Sequence, residues 1–100
     1  MTGSPTINPD TVVVQAEDIV YSDFDGEKVL LSVSAGKYFQ MNETASRIWD
    51  LLAEPMTVSE ICDILVGEYS IITEECLRAV AHSVSEMANQ GIVRIRGTHP

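Results

Sequence analysis

The chain has one hundred residues, 45% hydrophobic and 21% charged, enough for one domain with one core and too few for two. Fifteen acidic residues against six basic ones give a formal net charge of −9. That is the wrong sign for neutralising phosphates and argues against nucleic acid or anionic membrane surfaces as partners. No apolar run approaches the roughly 18 residues that span a bilayer, and Met1 to Asp10 lacks the basic and apolar parts of a signal peptide, so a cytoplasmic location is expected. Cys62 and Cys76 stand far from any CxxC or zinc spacing and read as buried apolar residues, so no metal, cofactor or disulfide is expected.

Met1 to Thr11 is rich in Pro, Gly, Ser and Thr without apolar periodicity and reads as a flexible arm (1–11) before a single domain (12–96) and a short tail (97–100). Val12–Gln15 and Ile19–Ser22 are β-prone, and Asp23-Phe24-Asp25-Gly26 supplies a reversal with positive φ at the glycine. Lys28–Val33 and Lys37–Met41 are further strands, close enough to force antiparallel pairing. With Ala35-Gly36 as a two-residue turn, Ser34 pairs with Lys37. Val29, Leu31, Val33, Tyr38 and Gln40 then share one face, and Leu30, Ser32, Phe39 and Met41 the other. Neither face is cleanly polar, as expected for a small sheet with helices on one side and a partner on the other.

After Met41 the apolar period changes to 3.6. Ala45, Ile48, Trp49 and Leu52 recur behind Asn42, a good N-cap, and Pro55 ends this helix. Thr57-Val58-Ser59-Glu60 is a capping box for a second helix that buries Val58, Ile61, Cys62 and Leu65 up to about Gly67. Thr73 is expected to cap a third helix, with Ile72 stapled on Leu77. Leu77, Val80, Ala81, Val84, Met87 and Ala88 form its stripe and Gly91 its left-handed end. Ile92–Ile95 can pack or add a short strand. Strands followed by helices make an α+β domain of winged-helix type, a three-stranded antiparallel sheet followed by three helices.

Chemistry is absent from the pattern. His82 and His99 have no motif around them, Glu74 and Glu75 have a helix-dipole explanation, and Trp49 is in phase with the core. No enzyme activity is expected. What remains is the edge of Lys37–Met41, free of proline and of inward charge, which can accept a peptide by strand addition.

The run Lys37-Tyr38-Phe39-Gln40-Met41-Asn42-Glu43-Thr44-Ala45-Ser46-Arg47-Ile48-Trp49-Asp50-Leu51-Leu52 resembles the PqqD-like family. That family has a GxYxxLN hairpin strand leading into a helix of the T/GAxxIW type. The likeness continues through Met56-Thr57-Val58-Ser59-Glu60-Ile61, Leu65, Glu68-Tyr69 and Asn89-Gln90-Gly91-Ile92-Val93, with Met41 in place of the usual leucine. Tyr38 and Trp49 are most similar to the stand-alone members of lasso-peptide biosynthesis. The resemblance implies a recognition element for the leader segment of a ribosomally made precursor, delivered to a leader peptidase of the cysteine-protease type and to a macrocyclising enzyme. It implies that the leader adds beside Lys37, Tyr38, Phe39, Gln40 and Met41 and lies against exposed flanks of Leu77, Arg78, Val80, Ala81, Val84 and Ser85. The face with Leu31, Val33 and Tyr38 is the expected enzyme contact. The alternatives are a PqqD-type peptide chaperone for a radical-type modifying enzyme and a winged-helix DNA-binding protein, the latter disfavoured by a third helix whose only basic residue is Arg78. A monomer and a homodimer are both compatible with an open edge.

Overall fold

A computed structural model describes residues 7–98. The elements run β1 (Thr11–Gln15), β2 (Ile19–Phe24), β3 (Glu27–Ser32), β4 (Lys37–Met41), α1 (Glu43–Leu51), β5 (Met56–Thr57), α2 (Val58–Glu68), α3 (Thr73–Gln90) and β6 (Val93–Thr98). The expected α+β architecture is present, as two antiparallel three-stranded sheets of order β2-β3-β4 and β5-β1-β6 around three helices.

Asp25 and Gly26 close the β2–β3 hairpin with φ of 55° and 86°, the doubly left-handed turn that matches the twist of paired strands. The β3–β4 connection is longer than the expected two-residue turn. Ser32 rather than Ser34 pairs with Lys37, and Val33 to Gly36 form the loop. Gly36, at φ 65°, donates its N–H to Ser32 O at 2.8 Å. A slip of two residues leaves every side chain on its face, so the assignment of faces survives the change of register.

Among the described residues, the expected arm is partly tied down. Thr11 is buried, its hydroxyl accepts from Asn8 N at 3.0 Å, Pro9 O accepts from Ser59 N at 3.0 Å, and Ile7 packs on the core. Residues 1–6 and 99–100 lie outside the described residues, and with them His99 and the end of the tail.

The core gathers Leu30 and Met41 from one sheet, Val13 and Val93 from the other, and Ile48, Trp49, Leu52, Val58, Ile61, Leu65, Val80, Val84 and Met87 from the helices. Trp49 ties the layers: its indole donates to Ile92 O at 3.0 Å, its carbonyl accepts from Gln15 Nε2 at 2.7 Å, and Tyr21 meets its ring edge-on at 5.5 Å. The Thr57–Glu60 capping box is formed in both directions and Gly91 ends α3 at φ 80°. The start of α3 departs from expectation. Ile72, not Thr73, occupies the N-cap with no side-chain hydrogen bond, and Ile72 is 61% exposed rather than buried in a staple.

Candidate functional site

The site is built on β4, where the chain passes from sheet to helix without a loop. Asn42 follows Met41 directly and accepts from Ala45 N at 2.8 Å, capping α1. Ser46, buried one turn later, accepts Lys28 N–H at 2.9 Å and donates to Met41 O at 3.3 Å, so one hydroxyl closes the end of the β3–β4 ladder. A buried polar group is tolerated because both of its roles are filled.

The same end of the hairpin is also held by the side chain of Lys28, a lysine that patterning would leave in solvent. The Lys28 side chain is only 3% exposed, its ammonium 2.7 Å from Asp23 Oδ1, 3.1 Å from Asp50 Oδ1 and 4.2 Å from the Tyr21 ring centre. Burial pulls its pKa down, but the hydrogen bonds and charges of Asp23 and Asp50 outweigh that and leave it raised. Arg47 makes a two-point contact with Glu68 at 3.0 and 2.6 Å, linking α1 to the end of α2, and this holds the Glu68 carboxyl below its ordinary pKa. Together these contacts fix α1 and the hairpin, and therefore β4, against the helical layer.

β4 pairs with β3 on one side and with no strand among the described residues on the other. All five of its residues are in regular register. Beside its C-terminal half lies a groove of about 340 Å3 whose strand side is Gln40, Met41, Asn42 and Ala45 and whose far wall is His82, Ser83, Glu86, Met87 and Gln90 of α3. An apolar cavity of about 180 Å3, lined by Thr44, Ile48, Leu65, Tyr69, Ile71, Cys76, Ala79, Val80 and Ser83, shares Ser83 with the groove.

On α3 the structure corrects the expected side chains. Val80 and Val84 have no exposed flank, at 1% and 0%, because they are core residues. Leu77, Ala81 and Ser85 are half-buried and Arg78 is exposed, yet none of them lines the groove, while Val80 lines the neighbouring cavity. The core stripe of a helix has two flanks, and sequence periodicity does not say which one faces β4. The readable sign was the mixed stripe Ser83, Glu86, Met87 and Gln90, polar residues interleaved with a methionine at i, i+3, i+4 and i+7.

The outer face of the β2-β3-β4 sheet carries the other expected surface. Leu31 is half-buried between Val20 and Tyr38 in one cross-strand row, and Val33 stands in the loop beside them. Tyr38 is 72% exposed, Phe24 62%, Val20 57% and Val33 54%, so β2 contributes Val20 and Phe24 to a face that the sequence reading confined to β3 and β4.

Chemically the surroundings are quiet. His82 Nε2 is 3.4 Å from Glu86 Oε2, both well exposed. Both thiols are buried, and burial with the Cys76 thiol beside it pushes Cys62 up to about 12. No group of metal-binding side chains occurs among the described residues, and no described helix is long and apolar enough to cross a membrane.

Solved structures share this fold. The fold matches a solved structure of TbiB1 in complex with the TbiA(beta) leader peptide, with TM-score 0.75 and 30% identity over 87% of this chain and 99% of that one. It also matches a lasso peptide synthetase B1 complexed with its leader peptide, with TM-score 0.72 and 24% identity over 82% and 96%, a likeness of fold. No curated protein matches the chain. The family described as Coenzyme PQQ synthesis protein D (PqqD) matches residues 27–93, which spans the hairpin, all three helices and the start of β6, and the chain belongs to that family.

Proposed function

We propose that this protein binds the leader segment of a ribosomally made precursor peptide as a strand added to β4, and that it acts by binding rather than catalysis. One observation carries the reading: a regular edge strand, with no further strand paired to it among the described residues, lies directly beside a groove walled by α3. Edge N–H and C=O groups supply affinity without regard to sequence, and the groove supplies choice among side chains. The 30% identical TbiB1 holds a leader peptide on the same fold, which supports the same class of ligand here.

The second surface supports a role in delivery. The apolar outer face with Leu31, Val33 and Tyr38, extended by Val20 and Phe24, is the contact proposed for a leader peptidase of the cysteine-protease type, with a macrocyclising enzyme as a second client. Tethering the substrate to its enzyme raises the local concentration of both. The work is placed in the cytoplasm. A DNA-binding role finds no support on α3, where Glu74, Glu75 and Glu86 outnumber Arg78.

Isothermal titration with synthetic leader segments from the small open reading frames beside the gene tests the reading. The expected result is saturable one-to-one binding that Tyr38→Asp leaves intact while assisted proteolysis falls. No binding by any segment would sink leader recognition; unchanged proteolysis in Tyr38→Asp would remove the enzyme-contact assignment.

A further inference from the structure

The groove beside β4 has a charge character that the strand-addition reading does not explain. Of the side chains lining it, Glu86 is the one with a fixed charge, and neither lysine nor arginine is present to balance it. Its contact is the His82 imidazole at 3.4 Å, and Glu86 remains 63% exposed, so its carboxylate is reachable from the groove.

Spacing adds to this. His82, Glu86 and Gln90 follow each other by four residues along the groove wall. Residues four apart on a helix rise about 6 Å, and side chains on one face of a strand repeat about every 6.7 Å. A peptide paired with β4 turns alternate side chains to the inner face, the face of Phe39 and Met41. The two spacings are close enough for an inward residue of the added strand to be matched with one of these polar positions, of which the carboxylate is the middle one.

We propose that Glu86 is a specificity residue that selects peptides bearing a lysine or arginine at one inward position of the added strand. This rests on the strand-addition reading and deepens it by assigning charge preference to a named side chain. The apolar part of the groove lining, Met41, Ala45 and Met87, accepts the alkyl stem of such a residue while its cationic end reaches the carboxylate. His82 is displaced from Glu86 or shares it. A peptide with aspartate or glutamate at that position meets repulsion from Glu86 in a chain that is already at −9.

A displayed library of random short peptides, selected in parallel on the wild-type protein and on Glu86→Lys, tests the inference. The expected result is enrichment of lysine or arginine at one position of the aligned wild-type binders, replaced by aspartate or glutamate on Glu86→Lys. A wild-type binder made synthetically should lose affinity about fivefold on Glu86→Gln, the size expected of an exposed charge pair, and most of that loss should vanish at high salt. Peptides of the same composition from both proteins, or unchanged affinity on Glu86→Gln, would overturn the assignment while leaving strand addition standing. If neither protein enriches any peptide, strand addition itself fails and the assignment with it.

Discussion

β4 and β6, one outer strand from each sheet, are very different edges. β4 is unguarded, with five residues in continuous register, no bulge and a groove at its side. β6 ends the other sheet and is guarded: its register with β1 breaks between Val12 and Val13, Gly97 sits at φ 119°, and Arg94 and Arg96 stand exposed along it. A bulge and charged side chains are the usual means by which an edge avoids unwanted pairing. β2, the far edge of the β4 sheet, is also in continuous register with β3, so it is the groove walled by α3 that sets β4 apart as the proposed acceptor.

The largest effects should come from the contacts that hold the two sheets together. Trp49→Ala removes the indole hydrogen bond to Ile92 O and a buried ring, and should cost about 3–5 kcal/mol in urea unfolding. That loss loosens the start of β6 and the hairpin together, so it lowers stability without telling the edges apart.

Ser46→Ala separates them. It leaves Lys28 N–H and Met41 C=O without their buried partner, at a cost of about 1–3 kcal/mol. Because both groups lie at the end of the β3–β4 ladder, hydrogen exchange should accelerate in β4 and not in β6. Equal acceleration in both strands would mean that the two edges share one cooperative unit.

Proline turns β4 into a blocked edge. Of any two successive strand residues, one directs its N–H away from the paired neighbour. Of Tyr38→Pro and Phe39→Pro, one should therefore keep the fold and lose leader affinity by about tenfold, the worth of one main-chain hydrogen bond of about 1.4 kcal/mol, while the other breaks the ladder to β3. Titration calorimetry and thermal melts distinguish them.

The last effect is alkaline and is small near neutral pH. The Cys62 thiol is held protonated at a pKa of about 12 against an ordinary 9.0, so the unfolded chain releases that proton first and stability should decline above pH 9. Lys28 adds to this at higher pH: its pKa is raised above 10.5, so its contribution is complete below that value and is lost as pH climbs through the raised one. Unfolding midpoints measured from neutral to alkaline pH should stay level and then fall.

Local signals are legible in the sequence. Asp25-Gly26, the Thr57–Glu60 box and Gly91 each act within a few residues and appear where the pattern places them. The second sheet was not legible because it joins Val12 to Thr57 and Gly97, partners distant in the chain, and because β5 is two residues long. In the sequence Lys28 is an ordinary strand residue, since nothing local shows that Asp50 comes to meet it. In the candidate site, β4 as an open edge and the face of Leu31 and Tyr38 could be read from alternation. The groove wall could not, because Val80 and Val84 turn into the core and the facing flank is set by how α3 packs.

Hydrogen exchange with and without a binding leader segment, followed separately in β4 and β6, tests the central claim most directly. Strand addition predicts that the outward amides of β4 slow markedly while those of β6 do not change. Protection of β6, or binding that leaves β4 amides as fast as before, would contradict it.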